Sequence, residues 1–185
     1  MCQAVLDDPG FFALLLRIDQ EEASRIRAMR CPCGGPLHLA VYERKPRGGP
    51  LHREADRSRL SFCCGQCRRR RTPRSVRFLG RRVYYSVMVV FASALAGGLN
   101  VRREAHLMQA LRVPRLTLRR WLHWWVTEFV ATPFWAAVRA ALVPPIAVAR
   151  LPGSLLARFA AADEPSRVLA MLRWVTPLST QSEGC

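Results

Sequence analysis

The sequence predicts a mainly α protein that carries a small β-rich module in its first half. Three observations lead there. Between residues 31 and 67, glycine, proline and charge interrupt short alternating runs such as Leu37 to Tyr42 and Arg59 to Phe62, which is the pattern of short strands. Two tight cysteine clusters bracket that interval. From Arg82 onward apolar residues recur at helical steps, with glycine or proline breaks at Gly97-Gly98, Pro133, Pro144-Pro145 and Pro152-Gly153. A chain of 185 residues that is 50% apolar can bury a core, in one or two compact units rather than several large domains.

The elements follow in order. Residues 1–30 form a helical lead-in: Phe11, Phe12, Leu14, Leu15, Leu16 and Ile18 are apolar, Gln20-Glu21-Glu22 turn polar, and Ile26 and Met29 are expected to pack back. Residues 31–75 form the β-rich module and a basic linker. Its loop from Glu43 to Ser58 holds Lys45-Pro46-Arg47-Gly48-Gly49-Pro50, a basic hairpin tip, and the run Arg68 to Arg71 leads into Thr72-Pro73-Arg74-Ser75 as the linker. Residues 76–130 hold three helices, Arg82 to Leu95, Arg102 to Leu111 and Arg115 to about Phe129. Residues 131–185 form a C-terminal helical segment whose apolar positions, Leu155, Leu156, Phe159, Val168, Leu169, Leu172 and Trp174, are expected to cap the core; a docking surface for another subunit is the alternative.

Seven cysteines are present, an odd number, and the start Met-Cys-Gln-Ala-Val-Leu-Asp-Asp lacks a basic n-region. A secreted disulfide scaffold is therefore not expected, and reduced thiols in a cytoplasmic compartment are. Cys64-Gly65-Gln66-Cys67 has the spacing with which a chain curls around a zinc ion, and glycine relieves the turn. Cys31-Pro32-Cys33-Gly34-Gly35 is a tighter half-site with one intervening residue. The expected ligands are Cys31, Cys33, Cys64 and Cys67 around a structural Zn2+, with Cys63, His38 or His52 as substitutes. The alternative is that these cysteines are small buried hydrophobes or a redox pair.

The formal net charge is +16, the isoelectric point is near 11.3, and Lys45 is the only lysine. Such a surface attracts polyanions, and guanidinium groups suit phosphates and base edges, although high-GC coding bias also enriches arginine. The segment Val101 to Trp121 reads as helix, tight turn, helix. In the helix after the turn, Leu118, Trp121, Leu122, Trp125 and Phe129 share one inward face, which leaves Arg115, Arg119, Arg120 and His123 outward. An ordinary amphipathic helix with a solvated arginine face is the competing reading. The turn position that often holds glycine is Arg112.

Taken together, a Cys-Pro-Cys-Gly-Gly start, a Phe-x-Cys-x-x-Cys finish at Phe62 to Cys67, an arginine run, and Leu-x-Val-Pro-x-x-Thr-Leu-x-x-Trp at Leu111 to Trp121 resemble the amino-terminal region of insertion-sequence transposases that carry a zinc ribbon before a helix-turn-helix. The resemblance covers about residues 28 to 128. It implies DNA binding, with Arg68, Arg69, Arg70 and Arg71 on the backbone and Arg115, Thr117, Arg119, Arg120 and His123 at the groove. Transposases continue with three spaced carboxylates that hold two metal ions. After Trp121 this sequence offers Glu128, Asp163, Glu164 and Glu183, without strands to position them. The expectation is a non-catalytic, nucleoid-associated binder of duplex DNA, an accessory or regulatory factor of a mobile element, with a homo-oligomer or a recombinase as further partners.

Three other readings compete. A truncated or partner-dependent transposase subunit shares the same residues. A single-span membrane protein is suggested by Val83 to Leu99, seventeen uncharged residues between arginine pairs, and a peripheral membrane role by the tryptophan-rich stretch Trp121 to Trp135. A membrane is not the expected partner, because Gly97-Gly98 erode the apolar end and both flanks are basic. An enzyme is not expected: His38, His52, His106 and His123 are scattered, and no phosphate loop or nucleophile–base arrangement can be placed.

Overall fold

The computed structural model describes residues 2–44, 57–80, 84–97 and 100–180. The fold is mainly α with a small antiparallel β part. The four segments distinguished by composition are distributed over two compact units, one of residues 7–85 and 175–185, the other of residues 1–6 and 86–174.

In the first unit, called the ribbon unit here, Asp8 starts the long helix α2 (Pro9–Ala28): its carboxylate accepts from the Gly10 amide at 2.8 Å, and Pro9 fills a position whose amide needs no partner. α2 buries Phe11, Phe12, Leu15, Asp19 and Ala23, and Arg30 ends it in a left-handed turn. The order of the sheet is β1 (Leu37–Leu39), β4 (Phe62–Cys64), β5 (Arg70–Arg71), all antiparallel, with Leu37 opposite Cys64 and Phe62 opposite Arg71. A second ribbon pairs β2 (Tyr42–Glu43) with β3 (Ser58–Arg59). The hairpin tip expected at Lys45 to Pro50 lies outside the described residues. Ala23, Cys31, Leu37, Phe62 and Cys64 form a core against which Ile26 and Leu60 pack. Met29, expected to join it, is 73% exposed, because the chain turns away at Arg30.

Two expectations about residues 68–78 are corrected. Arg70 and Arg71 are strand residues, and Pro73 to Leu79, apart from Arg74, is buried rather than a linker. The cause is a buried polar knot around Asp19. Its carboxylate accepts from Ser75 Oγ (2.6 Å), Arg77 Nε (2.8 Å) and the Val76 amide (2.8 Å), while Ser75 Oγ accepts from the amides of Arg77 and Phe78. Arg77 also donates to Ser58 O, and the Ser75 amide donates to Ser179 Oγ. Asp19 and Arg77 side chains are 2% and 1% exposed, a burial that both charges tolerate only because each is paired.

In the second, helical unit, α1 (Cys2–Asp7) contributes buried Val5 and Leu6. α3 (Ser86–Ala96) is buried along almost its whole length and packs on α4 (Val101–Leu111), α5 (Arg115–Val126), α7 (Gly153–Leu156) and α8 (Glu164–Trp174). This explains why its sequence is apolar all round. At 11 residues it is about 16 Å long, half of what a bilayer requires. No helix among the described residues is long and apolar enough to cross a membrane; of the stretch Val83 to Leu99, Val83, Gly98 and Leu99 lie outside the described residues. Thr132 caps the short α6 (Pro133–Val138) by accepting from the Trp135 amide. An aromatic cluster follows: Phe129 lies 4.8 Å from Trp125 and 5.1 Å from Trp135, and Phe134 lies 4.7 Å from Trp174 between ring centroids. Of the C-terminal apolar positions, Leu155, Val168 and Leu172 are buried and Leu156, Phe159, Leu169 and Trp174 half-buried, and α7 and α8 pack on α3.

Candidate metal centre and nucleic-acid interface

Two loops bring four thiols together. In the first, the Gly34 amide returns to Cys31 O (2.8 Å) and the Cys31 amide donates to Gly35 O, with Gly34 at φ +82°. In the second, the Arg68 amide donates to Cys64 O, the Cys64 amide to Arg69 O, and Arg68 takes φ +60°. The Gly65 amide donates to Pro36 O at 2.9 Å and so ties one loop to the other. Gly35 is required by close approach rather than by backbone conformation, since a Cβ there would stand 2.7 Å from Cys64 Sγ; one on Gly65 would come closest to the exposed His38 ring, 2.9 Å from Nε2, which is free to turn aside.

The sulfurs of Cys31, Cys33, Cys64 and Cys67 all lie within 4.8 Å of one another, with Cys31–Cys67 at 3.6 Å and Cys33–Cys64 at 3.5 Å. Thiolates at about 2.3 Å from one tetrahedral ion stand about 3.8 Å apart, so this quartet could hold a metal ion. The tight Cys31-x-Cys33 spacing is accommodated because each of its sulfurs approaches one sulfur of the other loop. The amide of Cys67, followed by that of Gln66 and the neighbouring thiols, holds Cys64 down at about 6 despite burial. For Cys31 the Cys33 amide favours the thiolate, but burial and the three other thiols outweigh it and push the group up to about 12. Crowded thiols that share so little room for negative charge are the environment a soft cation relieves by replacing protons. Of the substitutes, Cys63 lies off the cluster, its thiol directed at Arg68 O (3.5 Å); His38 is an exposed strand residue opposite Cys63; His52 is outside the described residues.

The second candidate site lies in the helical unit. α4 ends in a Schellman turn: the Val113 amide donates to Met108 O, the Arg112 amide to Gln109 O, and Arg112 occupies the left-handed position at φ +52°. The turn geometry is therefore present although glycine is not. Pro114 precedes α5, whose Leu118, Trp121 and Trp125 are buried, with Leu122 half-buried. Arg119, Arg120 and His123 are exposed together with Leu116. Two residues expected on this face sit differently: Thr117 is half-buried, and Arg115 forms an ion pair with Glu104 of α4 at 3.6 Å. Arg115 thus braces α5 against α4.

The arginine run belongs to the ribbon unit. Arg68, Arg69 and Arg70 are exposed, Arg70 lies over the Tyr42 ring at 5.5 Å, and Arg71 is half-buried. Sequence reasoning missed the Asp19–Ser75–Arg77 knot. The available signal was an aspartate in the series Leu15, Asp19, Ala23, whose four-residue steps place a carboxylate on the apolar face of α2. No family model matches the chain, and neither the curated proteins nor the solved structures contain a match.

Proposed function

We propose that this chain is a non-catalytic, zinc-dependent DNA-binding protein, an accessory or regulatory factor of a mobile element. The observation that carries this reading is the α4–α5 pair: its buried face and tight turn leave Arg119, Arg120 and His123 together on solvent, where an inserted helix meets base edges. The net charge of +16 supports a polyanionic partner. Four thiolates without an open position favour a structural zinc over a catalytic one, and arginines 68 to 70 beside the metal loop supply phosphate contacts.

The two arginine groups have different jobs in this reading, and that difference is testable. Fluorescence anisotropy on duplex DNA across a salt series measures both affinity and counterion release. Arg69→Ala weakens binding to all duplexes alike and lowers the salt slope by about 0.9. Arg119→Ala and Arg120→Ala also relax sequence preference, by roughly 1–3 kcal/mol at the contacted base pair. The reading fails if wild-type protein binds duplex DNA without salt dependence, and the groove assignment fails if both classes of variant behave alike.

A further inference from the structure

The helical unit holds a concavity beside α5 that shares His123 at its rim with the proposed nucleic-acid face and otherwise lies apart from it. A cavity of about 900 Å3 lies between the C-terminal end of α3, one flank of α5 and residues 147–157. Its floor is apolar and buried at Ala96 and Leu151, and Leu122 and Val126 form half-buried walls. Small residues, Ala94, Ala147, Ala149, Gly153 and Ala157, line it and leave the space open. The Ser154 hydroxyl donates to Ala147 O at 2.9 Å, which holds the rim in place.

Charge is distributed unevenly around this cavity. Arg150 and His123 stand at the exposed rim, no carboxylate lines it, and neither side chain has a hydrogen bond or ion pair among the described residues. A neutral apolar guest would use the floor and gain nothing from the exposed Arg150. An inorganic anion would satisfy Arg150 and leave the apolar floor wet. A guest with both features satisfies both.

We propose that this cavity binds a small amphipathic carboxylate, its charged end on the Arg150 guanidinium and its apolar body against Leu122, Val126 and Leu151. The volume falls in the range of about 300–1,000 Å3 typical of small-molecule sites, and a planar guanidinium matches a carboxylate with two parallel hydrogen bonds. The site stands on its own geometry and needs no bound DNA.

Isothermal calorimetry on the full chain with octanoate tests it, with 1-octanol, acetate and inorganic phosphate as controls. Octanoate is expected to bind saturably at one site per chain, and 1-octanol and acetate at least about tenfold more weakly. Arg150 is exposed, so R150Q removes the anchor without touching the core; it is expected to weaken octanoate about tenfold and leave 1-octanol unchanged. A157F, which fills the cavity from an exposed position, is expected to abolish binding with unchanged far-ultraviolet circular dichroism. Equal binding of octanoate and 1-octanol, an R150Q protein of unchanged affinity, or no saturable octanoate binding into the millimolar range overturns the proposal.

Discussion

The cysteine end of the ribbon unit and the helical unit solve the stability problem in opposite ways. The helical unit is centred on α3 and an aromatic cluster from Trp125 to Trp174, so apolar burial is its main resource. The ribbon unit has strands of two or three residues and a five-residue core cluster at its metal end, two members of which are cysteines. It compensates with four converging thiols at one end and the Asp19 knot at the other. The contrast shows that a segment with few apolar contacts, such as the cysteine end of the ribbon unit, becomes dependent on a few polar groups.

The largest test of that comparison is metal removal. On the proposed reading that the four thiols hold zinc, which contributes on the order of 10 kcal/mol to folding in small modules, chelation, or Cys64→Ser, is expected to unfold the cysteine end of the ribbon unit. All five tryptophans lie in the helical unit. Their emission should therefore stay native while hydrogen exchange accelerates over β1, β4 and β5. Simultaneous loss of tryptophan emission would show that the two units do not differ in this way.

Asp19→Ala comes next. It leaves the Arg77 guanidinium buried without its carboxylate and is expected to cost about 3–5 kcal/mol in chemical denaturation. Replacing Arg77 by Met as well should recover part of the loss, because the unpaired charge is then gone. A single variant within half a kcal/mol of wild type would mean that the knot is not a stabilising feature.

Arg112→Gly sharpens the contrast in the other direction. An arginine at φ +52° carries a steric penalty that glycine lacks, so the substitution is expected to stabilise the helical unit by about 1 kcal/mol. Thermal unfolding followed by tryptophan emission measures it, and a lowered midpoint would contradict the turn assignment.

The smallest effect concerns Asp163. The Ser166 amide, at 2.7 Å, and the Ser166 side chain hold its carboxyl below the ordinary value. Because the folded value is the lower one, its contribution is present above the unfolded value of about 3.9 and disappears as pH falls through the folded one. Wild type and Asp163→Ala should therefore differ at neutral pH and converge in acid, as followed by denaturation of α8.

Much of the fold was legible because its signals are local. The helices over 101–111 and 115–126, the stop at Gly97 and the inward face of Leu118, Trp121 and Trp125 follow from periodicity and breakers within a few residues. The cysteine set was legible for a related reason: ligand chemistry restricts which residues can converge, so spacing favoured Cys31, Cys33, Cys64 and Cys67 over Cys63, His38 and His52, and the folded loops bring those four together. Arg71 and the segment after it were misread, since a run of arginines gives no hint that β4 would offer a free edge to pair with.

What the sequence by itself determined is thus the mainly α character, the helix–turn–helix pair and the four-thiol centre, each encoded by residue type at short range. Only the tertiary structure decided that Asp19 meets Ser75 and Arg77, that Ser179 returns to the ribbon unit through Ser75, and that Arg115 is taken up by Glu104. The physical reason is that a single charged or hydroxyl side chain carries no periodicity. Its partner is chosen by which backbones the folded core brings within 3 Å, and in the Asp19 knot those backbones are more than fifty residues apart.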